Sequence, residues 1–318
     1  MKRFAKIMLA GAGLALASVV AHAAVQTQLT AEVMDYDVET GDFKAQGNVT
    51  LKREELTLVS AFGMANTQTQ KARVWQNVHA FGKYNGEKLD AVCAQLDADF
   101  AVEGGDYIMT GNVVAEFGPR LLKSDMARLT GRAFSAETVR HFEDKSRNMV
   151  LKCQTLTGDY DDDGLRVADG KGSVYVTQHD AQKDSQLWCN SFNYDRGHDR
   201  LIGTGNARLV VVQKGEGKQK NEAKKTDIHC DTLIYSFKAG SVTATGNARA
   251  VQDERRINAK TLVYYPETGK LEAKGKPTIT VDLVPKGGKK TPARQPEKGK
   301  TPRRLPSPSR SKPQRSGK

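Results

Sequence analysis

The chain has 318 residues, of which 38% are hydrophobic and 7% aromatic, with 49 Lys/Arg against 37 Asp/Glu for a formal charge of +12. The excess of cations is not spread evenly. Residues 285–318 hold 12 Lys/Arg, one acid (Glu297) and 7 of the 10 prolines, so the high isoelectric point belongs to a tail of disorder-prone composition, and with the basic ends set aside the body is slightly acidic. A nucleic-acid-binding domain is therefore not what the charge describes, and no nucleic acid is expected as a partner.

In chain order, Lys2, Arg3 and Lys6 precede an apolar run from Ile7 to Val20 and the small-residue motif Ala21-His22-Ala23. This is the pattern of a secretory signal peptide over residues 1–23, and it predicts export. Retention as an anchor is the other reading of the segment, although the run is shorter than the ~20 apolar residues that span a bilayer.

From residue 24 onward one pattern recurs. An aromatic residue is followed eleven positions later by glycine: Tyr36 to Gly47, Phe100 to Gly111, Tyr194 to Gly205, Tyr235 to Gly246 and Tyr264 to Gly275. Asn follows the first four glycines (Asn48, Asn112, Asn206, Asn247), and Lys276 follows the fifth. A small residue and an apolar one precede each aromatic, as in Ala31/Met34, Cys230/Leu233 and Ala259/Leu262. A turn glycine (Gly41, Gly105, Gly240, Gly269, and Gly197 in the third copy) comes after it. The residues that flank each Gly-Asn corner alternate with period two, Phe43/Ala45 and Val49/Leu51 being the first set, and such alternation predicts strand. A weaker copy runs from Tyr160 to Gly172-Ser173-Val174, and half-copies stand at Trp75–Val78 and Met126–Val139.

Short strand pairs bury little alone, so these units must stack on a shared core. The fold class expected is all-β: stacked antiparallel strand-pair repeats over residues 24–284, with a solvated loop insertion at 214–225 and a disordered basic Pro-rich tail at 285–318.

Cys93, Cys153, Cys189 and Cys230 each lie three residues before an apolar residue, at the repeat position that Ala31 and Ala259 hold. They predict a column on successive rungs. Two main readings stand: small buried side chains in the place of Ala, or disulfides, since an exported chain meets oxidising conditions and neighbouring strands lie ~4.8 Å apart. Zinc is disfavoured by the absence of a C-x₂-C pair. Asp159-Tyr160-Asp161-Asp162-Asp163-Gly164 opens like a calcium loop, with Asp159, Asp161 and Asp163 as the candidate ligands. Position twelve is Gly170, however, so the bidentate Glu is missing and the stretch reads as an acidic hairpin turn. The histidines form no H-E-x-x-H pair, and neither a G-x-S-x-G elbow nor a phosphate-binding G-x₄-G-K-[ST] loop occurs. The sequence gives no reason to expect an enzyme, a cofactor or a catalytic residue.

The repeat written as A-x-x-L/M-x-Y … G-x-x-x-A-x-G-N-V-x-V, carried by Ala31 to Leu51 and again by Cys230 to Ala250, resembles the OstA-like repeat of lipopolysaccharide-transport proteins, in particular the LptA-type periplasmic bridges. The resemblance implies a β-jellyroll open at both ends, a periplasmic location, acyl chains of lipopolysaccharide or a similar glycolipid held inside, and other OstA-like domains of the inner- and outer-membrane transport complexes, or further copies of the chain head to tail, as partners. Phe43, Val49, Leu51, Met109, Val113, Phe117, Val176, Leu201, Leu209 and Val211 are the lipid-facing residues expected on that reading. The longer body, the cysteine column and the basic tail depart from the pattern. A structural β-solenoid of the envelope, with the same repeats and a filled interior, is the competing expectation.

Overall fold

In the computed structural model, residues 14–16, 26–214, 224–252 and 254–281 are described. The expected signal segment (apart from Leu14–Leu16), most of the loop insertion and the basic tail lie outside them. The strands are β1 (Leu14–Leu16), β2 (Thr27–Thr30), β3 (Val33–Tyr36), β4 (Asp42–Arg53), β5 (Leu56–Asn66), β6 (Lys71–Tyr84), β7 (Glu87–Asp99), β8 (Asp106–Phe117), β9 (Arg120–Thr130), β10 (Ala133–Asp144), β11 (Met149–Asp161), β12 (Gly164–His179), β13 (Lys183–Asp195), β14 (Arg200–Gln213), β15 (Lys224–Ser236), β16 (Ser241–Gln252), β17 (Arg255–Tyr265), β18 (Lys270–Lys274) and β19 (Thr278–Val281). From β4 to β17 each strand pairs antiparallel with the next in one meander. One 3-10 turn, Lys145–Arg147, is capped by Asp144, which accepts from the Ser146 N–H. All of the described residues belong to one unit, Met1–Asp282.

The strand pairs expected from the repeat are in fact long strands folded at a corner. The register of β4 against β5 shifts between Gln46 and Val49, where Gly47 has φ 77° and Asn48 φ 46°. The same left-handed pair recurs at Gly111-Asn112, Gly172-Ser173, Gly205-Asn206 and Gly246-Asn247. Two successive left-handed residues cannot continue a pleated strand, so the chain turns there while its buried alternation continues on both sides: Phe43 and Ala45 before the corner, Val49 and Leu51 after it. Glycine takes the first place for a second reason. A Cβ at Gly111 would stand 2.6 Å from the Ala94 Cβ, and the side chains of Asn190 and Asp231 crowd Gly205 and Gly246 in the same way. The Asn of the corner can hydrogen-bond back, as Asn247 does to Asp231 at 3.0 Å.

The half-copies prove to be full corners. Gln76 and Asn77 both take positive φ (65° and 59°), and Thr138 does so in β10 (52°); each coincides with a register shift, of β6 against β7 and of β10 against β9. In the third copy the turn residue with positive φ is Asp199 (53°) rather than Gly197, an exchange that a short polar side chain tolerates. At the C-terminal end alternation of apolar residues does not bring burial. Ile279 and Val281 are 60% and 43% exposed, because β19 pairs with β17 and no described strand covers it.

Inside the corners lie two apolar clusters, one from Leu29 to Ala127 and one from Phe134 to Tyr264. Leu122 and Leu129 of β9 pack against both and make the core continuous.

Candidate functional site

The corners fold each long strand back, so that two series of hairpin turns face one another as lips. Contacts across the lips recur at a regular interval. Arg53, at the end of β4, donates from Nη1 to the Phe100 carbonyl at 3.2 Å and lies over the Phe100 ring at 4.7 Å. Next, the Tyr84 hydroxyl and Asn85 Nδ2 donate to the Gly131 carbonyl, at 2.9 and 2.7 Å. Arg120 then covers Tyr160 at 4.4 Å, and Arg147 covers Tyr194 at 4.6 Å. Farther along, Gln213 Nε2 donates to the Pro266 carbonyl at 2.7 Å and Gln252 Nε2 to that of Gly269 at 2.9 Å. Phe100, Tyr160 and Tyr194 are aromatics of the repeat, and the seam explains why the repeat keeps them: each offers a ring face to a cation of the opposite lip. Burial raises the phenol pKa of Tyr84 to about 12 and pushes that of Tyr160 up as well.

The expected lipid-facing residues fall into three groups. Phe43, Val49, Leu51 and Val113 are at most 3% exposed in the N-terminal cluster. Met109 and Phe117 border a narrow cavity of about 30 Å³, with Leu89, Leu122, Phe134 and Tyr160 around it. Val176, Leu201, Leu209 and Val211 line a second cavity of about 60 Å³ together with Leu187 and Leu233, and Gln178, Lys183, Ser185 and Tyr235 at its rim.

At the first cavity the sequence reading missed a buried ionic group. Arg120 is 6% exposed and Asp144 fully buried; Arg120 Nε approaches Asp144 at 4.0 Å, its Nη1 approaches Glu87 at 3.8 Å, and Arg147 adds a contact to Asp144 at 3.6 Å. Arg120 Nε and Nη1 and Asp144 Oδ2 make no hydrogen bond. A buried pair with this geometry retains much of its desolvation cost. Only Pro119-Arg120 following Gly118 in a turn hinted at it, and nothing local tells a buried Arg from an exposed one.

The cysteine column exists, but not as adjacent rungs. Cys93, Cys153, Cys189 and Cys230 occupy β7, β11, β13 and β15, immediately before the bend of each strand, and all four are free and buried. An intervening strand separates even the nearest of them, about 9.6 Å in a sheet, beyond the roughly 7 Å that a disulfide accepts. The disulfide reading is corrected to one of free thiols. Ser60 and Ser124 hold the same place in β5 and β9, and both are buried. Cys93 and Cys153 each donate Sγ–H to the carbonyl two residues on, at 3.2 Å, as Ser60 does with Oγ at 2.8 Å. At Cys93, Cys153 and Ser60 the small side chain thus serves a carbonyl within the bend, whereas Ser124 Oγ has no hydrogen-bond partner. Burial raises each thiol's pKa to about 11. The native thiols are expected to stay unreactive toward a disulfide-exchange reagent at mildly alkaline pH, and all four to react in denaturant without reductant; thiols that remain silent in denaturant would reveal bridges instead.

The acidic stretch forms the β11–β12 hairpin turn. Its carboxylates face guanidinium groups: Asp159 pairs with Arg166, Asp161 with Arg196, and Asp163 lies 3.9 Å from Arg196. Among the described residues no three His, Cys, Asp or Glu side chains form a group that could hold a metal ion.

No family model matches the chain, and no curated protein does. Among solved structures it is similar to LptH of Pseudomonas aeruginosa, described as the LptA homologous periplasmic component of the conserved lipopolysaccharide transport device. The identity is 18%, over 45% of this chain and 99% of that one, with a TM-score of 0.34.

Proposed function

We propose that the chain is a non-enzymatic periplasmic carrier that shields the acyl chains of a glycolipid, lipopolysaccharide on the reading its repeat suggests, within the folded sheet. The observation that carries this reading is the aliphatic interior of the second cavity, where Val176, Leu187, Leu201, Leu209, Val211 and Leu233 meet beneath a polar rim at the lips. Each methylene moved from water into such surroundings gains about 0.8 kcal/mol, so a chain of a dozen methylenes is held from water by about 10 kcal/mol. The ends of the stack fit partners of the same fold. Val33 and Val38 are exposed at the first rung and Ile279 and Val281 at the last. Among the described residues β3 pairs only with β4, and β18 and β19 only with β17, which leaves edges that a further OstA-like domain or a second copy can extend.

One observation favours a filled structural solenoid: Val49 and Val113 have no exposure and the cavities are small, so a lipid must widen the interior on binding. Native mass spectrometry with lipid extraction, on protein purified from its own envelope, separates the two. A bound multi-acyl glycolipid, lost in Leu201→Lys while the thermal unfolding transition persists, is the expected result. Leu201 suits the test because it is only half-buried. A folded protein that is free of lipid and does not take up added lipopolysaccharide would leave the solenoid reading standing.

A further inference from the structure

The contacts that close the lips skip one place. Going along the seam, Arg53 serves Phe100, Tyr84 serves the Gly131 turn, Arg120 serves Tyr160 and Arg147 serves Tyr194. The next hairpin on the same lip joins β12 to β13, and the next repeat aromatic opposite it is Tyr235. No hydrogen bond or cation–ring contact joins them among the described residues. Where an arginine would stand, the turn carries Gln178 and Lys183, and the Lys183 ammonium is turned to Asp180 of its own hairpin at 3.7 Å. Tyr235 packs instead edge-on to Phe237 of its own lip, with ring centroids 4.8 Å apart. Beyond the gap the seam resumes with Gln213 and Pro266.

Directly beneath this missing contact lies the larger of the two apolar cavities, whose rim is Gln178, Lys183, Ser185, Tyr235 and Pro266 and whose floor is Leu201, Leu209, Val211 and Leu233. By contrast the cavity under the latched Arg120–Tyr160 contact is half that size and has a guanidinium across it. A cavity of about 60 Å³ is too small for an acyl chain as it stands, so admission requires the lips to part. The cost of parting is least where no contact spans them, since every neighbouring place along the seam has a cation–π pair or a hydrogen bond to break.

We propose that the gap between Gln178/Lys183 and Tyr235 is a lateral portal through which the acyl chain of an amphiphilic lipid enters the interior, the arginine and tyrosine contacts to its N-terminal side holding the remainder of the seam shut. The portal rests on the lipid-carrier reading and adds to it a route and a place of loading.

Uptake of a fluorescent fatty acid, an anthroyloxy stearate, followed by stopped flow on the full chain tests it. Gln178→Arg supplies a guanidinium like those of Arg53, Arg120 and Arg147; it is expected to slow uptake at least tenfold and to slow release in parallel, so that the equilibrium affinity changes little. Tyr235→Ala, which removes one wall of the rim, is expected to accelerate uptake severalfold and gives the test a second arm should the arginine variant fold poorly. Arg140→Gln, which removes an exposed pair with Asp125 at the corner of β10 and away from the lips, is expected to alter the rate less than twofold. Probe uptake at the wild-type rate in both portal variants would overturn the portal and leave the carrier reading intact. A wild-type chain that takes up no probe would overturn both.

Discussion

Gly111→Val is expected to cost about 4 kcal/mol of folding stability, measured by urea unfolding. Two penalties coincide at this corner. Its φ of 80° lies in the left-handed region, which costs an L residue about 1–2 kcal/mol, more when β-branched. The Cβ would also stand 2.6 Å from that of Ala94, and since both atoms sit on paired strands of the meander, relief requires β7 and β8 to separate locally; overpacking of that kind costs about 1–3 kcal/mol. Gly86 supplies the control. Its φ is the same, 80°, but a Cβ there meets nothing within 4 Å, so Gly86→Ala should lose only about 1 kcal/mol. Equal losses in the two variants would show that the glycine serves backbone conformation alone, and that the close approach of the preceding strand has no part in choosing it.

That corner shows what the sequence made legible. Left-handed backbone restricts residue choice strongly and locally, so Gly-Asn at 47–48, 111–112, 205–206 and 246–247 could be read directly. The corners at Gln76-Asn77 and Thr138 were seen only in part because they lack the glycine: Gln76 and Thr138, which rarely adopt positive φ, hold it there, and what compels them is pairing with strands on either side. The cysteine position was legible and its spacing was not: alternation tells which side of a strand is buried, yet says nothing of the intervening strand that places Cys153 and Cys189 on β11 and β13. The repeat aromatics could be found, but their partners could not. Arg53 and Phe100 are 47 residues apart when they meet, and their encounter follows from how far each strand extends beyond its corner, a property of the assembled sheet. The lipid-facing set was chosen by alternation alone. Alternation identifies inward residues, and so it returned Val49 and Val113 in the close-packed interior along with Leu201 and Leu209 at a cavity; which inward residues border open space is decided by the lips.

The second large effect is expected at Asp144. Asp144→Ala should destabilise the protein by about 3–5 kcal/mol, the loss found when one member of a buried ion pair is removed and the other stays behind. Arg120 would remain, 6% exposed, beside Leu122, Phe134 and Phe142. Glu87, 3.8 Å away and itself 38% exposed along its side chain, is a distant and partly hydrated substitute. The cap on the Lys145–Arg147 turn is lost too, since Asp144 accepts from the Ser146 N–H at 3.0 Å, a contribution of about 1 kcal/mol. The double variant Arg120→Met/Asp144→Leu distinguishes the charge from the place it occupies. If the cost lies in the stranded guanidinium, the double variant should recover most of the loss, because a well-packed apolar pair in the same volume carries no desolvation penalty. Recovery would come with a looser seam, for Met cannot reproduce the cation over Tyr160. Stability and lip closure would then move in opposite directions, and faster uptake of an acyl probe by a protein as stable as wild type would show that this arginine is kept to hold the lips together at the place where the two halves of the core meet.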